Sequence, residues 1–196
     1  MIRIMIPYAD AGEVFNMNII IWSPPILAPL TACMIGLVGI GSAWCETPVD
    51  SGLYVFTEKF RIRLPISKTR GWFLLVGLGI LATLISSVLD HARTGWENPW
   101  LWLPVGAGVF GVVTCLLMGG TEKPSRGDLI VHTCAMFLLV IVGVIGTFLH
   151  VYQDFTSQNV FVWERFVRGA PFLAPLLFAD MAAFGLVLMM DPDERC

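Results

Sequence analysis

Hydrophobic residues fall into five long runs separated by short connections in which the charges cluster. A helix needs about 20 apolar residues to cross a hydrocarbon layer of about 30 Å. Five stretches meet that requirement: 26–44, 71–89, 100–118, 129–149 and 170–190. The first is entered through Ile19-Ile20-Ile21-Trp22-Ser23-Pro24-Pro25, where the prolines suit a helix start or a bent entry. The second carries no charge, and the fifth is interrupted by Asp180. The expected fold is therefore all-α: a polytopic integral membrane protein, a single domain over 1–196 built as a bundle of about five transmembrane helices.

The connections set the expected orientation. Lys59, Arg61, Arg63, Lys68, Arg70, Lys123, Arg126 and Arg195 place eight basic residues on one side; Arg3, Arg93, Arg165 and Arg168 place four on the other. The excess of Lys and Arg marks the cytoplasmic side. The N-terminus is then outside and the C-terminus cytoplasmic. Trp96, Trp100 and Trp102, with Phe155, Phe161, Trp163 and Phe166, form an aromatic belt on the outer side, and residues 160–168 suit a short helix lying in that interface. On the inner side Phe60-Arg61-Ile62-Arg63-Leu64 alternates with period two, the pattern of an extended segment on the lipid surface.

Small residues recur four apart within the runs: Ala32 and Gly36, Gly79 and Thr83, Ala107 and Gly111, Gly143 and Thr147, Ala179 and Ala183. This spacing lets helix backbones approach closely. No internal repeat of the kind built into many transporters is visible.

Composition agrees with the pattern. Of 196 residues, 56% are hydrophobic and 14% charged, against about 25% charged in a water-soluble domain. The net charge of −3 comes with no basic run resembling a nucleic-acid surface. Asp10 and Glu13 precede the first run, where a secretory leader would be basic, so that run is expected to be retained. The working localisation is a bacterial inner membrane.

Candidate chemistry is sparse. Asp180 sits near the middle of the fifth run, where a carboxylate costs at least about 2.5–3.5 kcal/mol. It is expected to face the bundle interior and find a partner, with Thr114 the nearest polar residue by depth, as a proton or ion site or as a helix-joining hydrogen bond. His91 and His150 end the second and fourth runs at matching depth on the outer side. Asp154 follows His150 by four residues and shares its helix face, and Asp90 adjoins His91. Imidazole with carboxylate suits a metal ion, and two facing imidazoles suit the axial positions of haem b. Helix C-termini also favour histidine for its partial positive charge. His132 lies on the same side of its helix as His150, and with three histidines in the chain a second haem would lack a ligand. His132 is expected to be a packed or interfacial residue, and Glu164, Arg165 and Arg168 solvated interfacial charges.

The five cysteines, Cys33, Cys45, Cys115, Cys134 and Cys196, include no C-x-x-C pair. No P-loop, nucleotide-binding glycine fingerprint, G-x-S-x-G elbow or H-E-x-x-H motif occurs, which weighs against kinase, hydrolase and protease activity. The expectation that leads is a non-catalytic membrane subunit or assembly partner of a larger, energy-converting complex. Its surroundings are the lipid bilayer and other membrane subunits or further copies of itself. Electron transfer through His91 and His150, and proton or ion transport through Asp180, are the alternatives.

Overall fold

The computed structural model describes residues 27–42, 44–57, 59–92, 94–156 and 172–190. The entry segment 19–25, the interfacial helix expected over 160–168, and Glu164, Arg165 and Arg168 lie outside the described residues. Each apolar run carries a helix: α1 Leu27–Ser42, α2 Lys68–Ala92, α3 Trp102–Gly120, α4 Arg126–Thr156 and α5 Leu173–Leu188. Among the described residues, three helical segments are long and apolar enough to cross a membrane: Lys68–Ala92, Pro99–Gly120 (α3 with its preceding turn) and Arg126–Thr156. Helices α1 and α5 have 16 residues each. With 31 residues, α4 is about 46 Å long and extends beyond a hydrocarbon layer of about 30 Å.

Local chemistry fixes the helix ends. Asn98 accepts the Trp100 N–H at 3.1 Å, and Pro99 opens the 3-10 turn Pro99–Leu101 that leads into α3. At the start of α4, the Asp128 N–H donates to Ser125 Oγ at 3.2 Å while the Ser125 N–H donates to Asp128 Oδ2 at 2.7 Å. This reciprocal pair is a capping box with Asp in place of Glu. Inside the bundle the threonines satisfy themselves. Thr83 donates to Gly79 O at 2.9 Å, Thr114 to Gly111 O at 3.0 Å and Thr147 to Gly143 O at 2.8 Å. Such bonds along one helix remove the need for water.

Helices α2, α3, α4 and α5 pack in that cyclic order, so α2 and α4 occupy opposite corners, and α1 rests on the outside of α2. Val76, Ile80, Cys115, Met136, Leu139, Phe178 and Met181 fill the centre and are fully or almost fully buried. Several of the small residues are where neighbours come closest. A Cβ at Gly143 would sit 2.7 Å from Pro175 O and 2.8 Å from Ala179 N, while Gly79 faces Met181 and Gly111 faces Leu139. Gly36 is different, with nothing within 4 Å of its would-be Cβ.

The all-α expectation needs one addition. The connection between α1 and α2 folds as a three-stranded antiparallel sheet, β1 Cys45–Glu46, β2 Leu53–Thr57 and β3 Phe60–Arg63, in the order β1-β2-β3. Cys45 pairs with Val55, and Leu53 with Arg63. The period-two stretch is strand β3, with all four residues exposed. The turn into β2 uses Gly52 at φ +71°, and a side chain there would run into Leu64 O.

Candidate functional site

The site builds from the end of α2. Thr94 holds the His91 carbonyl twice, through its N–H at 3.0 Å and its hydroxyl at 2.8 Å. Gly95 donates to Ala92 O at 3.1 Å. These bonds close the helix and fix the backbone from which His91 projects. Gly95 and Trp96 then adopt positive φ, +65° and +59°. A left-handed tryptophan is a strained choice that its surroundings must hold in place. Here the indole packs 6.0 Å from the His91 ring and stacks on Trp102 at 4.5 Å. The tryptophan group foreseen as an interfacial belt thus includes one member placed against a histidine.

His150 reaches the same place from α4. Its ring centre is 6.3 Å from that of His91, with the planes at 80°. Both histidines are half-buried, and Asp154, one turn further along α4, is buried. Asp90 is half-buried beside His91. Among the described residues, no group of three or more His, Cys, Asp or Glu side chains is placed to hold a metal ion. Asp90 and Asp154 therefore share the level of the histidines without completing a ligand set around them.

That donor set distinguishes two kinds of centre. A bare transition-metal ion in a protein takes three or four side-chain ligands. Haem iron brings four nitrogens of its own and takes at most two from the protein. Two imidazoles without a third donor suit the second case, in which His91 and His150 would hold the iron and Trp96 would flank it.

The other sequence candidates are placed apart. Asp180 does not face the bundle interior. Phe178, Ala179, Met181, Ala182 and Gly185 form the buried stripe of α5, and at about 100° per residue the helix then turns Asp180 and Ala183 outward. Both are exposed. Thr114 is buried in the core with its hydroxyl on Gly111 O, so the pairing expected from depth is not made. His132 is fully buried, its Nε2 3.3 Å from Gly185 O and its ring edge-on to Phe73 at 5.1 Å. It is a packed histidine at the opposite end of α4 from His150.

Sequence reasoning missed a polar cluster at that opposite end. Glu46 is buried and accepts the N–H groups of Gly52 and, at 2.9 Å, Lys68. Lys68, also buried, donates from Nζ to Trp44 O at 2.6 Å. Arg70 donates to Gly119 O at 2.9 Å and Gly120 O at 3.2 Å, joining α2 to the end of α3. A cavity of about 560 Å³ adjoins this cluster, lined in part by Ser67, Arg70, Met118 and Lys123. Because Glu46 and Arg70 are engaged by backbone groups, the cluster acts as a structural clamp. The available signal was an acid directly after an apolar run, opposite a helix start that lacks an acidic residue of its own.

Comparison with protein-family models, with curated proteins and with solved structures gives no match.

Proposed function

We propose that this chain is a membrane-embedded electron carrier that binds one haem b between His91 and His150. The observation that carries the reading is the approach of these two imidazoles, from opposite corners of the bundle, to 6.3 Å with no third ligand beside them among the described residues. Haem iron supplies one-electron exchange between its ferrous and ferric states. His91 and His150 would hold the iron, Trp96 would shield one side of the site, and Asp154 and Asp90 would set its polarity. In this reading all five apolar helices cross a bacterial inner membrane. The basic loops face the cytoplasm and the histidine pair lies near the outer surface. The eight-to-four distribution of Lys and Arg supports that orientation.

The test is the visible absorption of the full chain purified in mild detergent from membranes of haem-replete cells, beside His91→Ala and His150→Ala. The reading expects about one haem per chain in the parent and loss of most of it in each variant. A colourless parent with intact helical structure would contradict it, as would haem retained in both variants.

A further inference from the structure

Asp180 has no part in the histidine site, and its position raises a separate question. Its neighbours in sequence mark its depth. Ala179 packs against Gly143 and Met181 against Gly79, residues near the middle of α4 and α2. The carboxylate is therefore at mid-bilayer, on the outer face of the bundle and exposed. Among the described residues none hydrogen-bonds or ion-pairs with it. In hydrocarbon such a group is costly and almost always found with a partner.

The surface around it forms a shallow, open groove. Asp180, Ala183, Phe184 and Val187 of α5, with Ile35 of α1, line a groove of about 280 Å³. The four α5 positions follow the i, i+3, i+4, i+7 spacing of a single helix stripe. The small Ala183 lets a neighbouring backbone approach next to the acid. A second copy of this chain offers no counter-charge at that depth, because the five apolar runs contain no Lys or Arg, and Lys68, Arg70 and Arg126 lie in the first turns of α2 and α4. A second copy would set carboxylate against carboxylate.

We propose that the groove between α1 and α5 is the docking site for one transmembrane helix of a different protein, and that this helix presents a Lys or Arg at mid-bilayer to Asp180. The chain is then one subunit of a membrane complex. This inference does not depend on haem, since the groove and the histidine pair are separate features.

A photo-crosslinking amino acid at Ala183 in the full chain, irradiated in native membranes, tests it. Peptide sequencing of the adduct reports what is seated there, with the same probe at Val144 on a lipid-facing part of α4 as control. The expected adduct is a transmembrane peptide of another protein with Lys or Arg within its apolar run. It should be absent at Val144 and fall at least about tenfold when Asp180→Asn is added. Unchanged helical content and thermal midpoint in the Asp180→Asn chain separate lost docking from lost folding. Crosslinks to lipid alone, to a second copy, or to a helix without a basic residue would overturn the proposal, as would a yield that Asp180→Asn leaves unchanged.

Discussion

The His91 and His150 rings stand 6.3 Å apart and nearly perpendicular, although α2 and α4 occupy opposite corners of the bundle and pack through α3 and α5. At this end the two helices meet through these side chains, so the geometry of the pair depends on how tightly the bundle is drawn in below it.

Gly143 is where that tightness is most directly set. A Cβ there would press on Pro175 O and Ala179 N, backbone atoms that cannot swing aside. Gly143→Val should cost about 1–3 kcal/mol by forcing α4 from α5. Gly36→Ala, with open space around it, should be neutral or stabilising by up to about 1 kcal/mol from helix propensity. Thermal unfolding of both variants in one detergent checks the contrast, and equal midpoints would show that α4 and α5 do not meet at Gly143.

Glu46 should be a stability residue rather than a functional one. Glu46→Ala strands the Gly52 and Lys68 N–H groups, at about 1–3 kcal/mol for each buried donor. Glu46→Gln keeps an acceptor oxygen and should lose less. Limited proteolysis between residues 47 and 66, with thermal unfolding of the whole chain, reads both effects. Protease resistance equal to the parent in Glu46→Ala would show that the sheet does not depend on this carboxylate.

Asp180→Leu should behave unlike the loss of a buried polar partner. In the isolated chain reconstituted in lipid, the carboxylate makes no contact to lose. Removing it should leave the unfolding midpoint unchanged or raise stability by up to about 3 kcal/mol. A drop of more than about 1 kcal/mol would mean that the acid is bonded inside its own chain.

The helices and their approximate limits were legible because long, nearly uncharged apolar runs leave few alternatives to a helix. The small-residue spacing pointed correctly to Gly143, Gly79 and Gly111, yet spacing alone could not separate them from Gly36, because it does not say which neighbour is near. Depth counting placed His91 and His150 at one level, and the structure brings them together. The same counting misled at Asp180, since depth does not give rotation, and α5 turns Phe178 and Met181 inward instead. The sheet was illegible because β1 is two residues long and Glu46 within it bonds to Lys68, 22 residues away, a contact no local pattern announces.

The most direct measurement is the reduced absorption spectrum of the purified parent chain, recorded before and after carbon monoxide. Two axial histidines leave iron without an open position. The account predicts about one haem b per chain, sharp low-spin bands in the reduced form, and no spectral change with carbon monoxide. A preparation without haem, or one whose bands shift on adding the gas, would contradict the assignment of His91 and His150 as its two ligands.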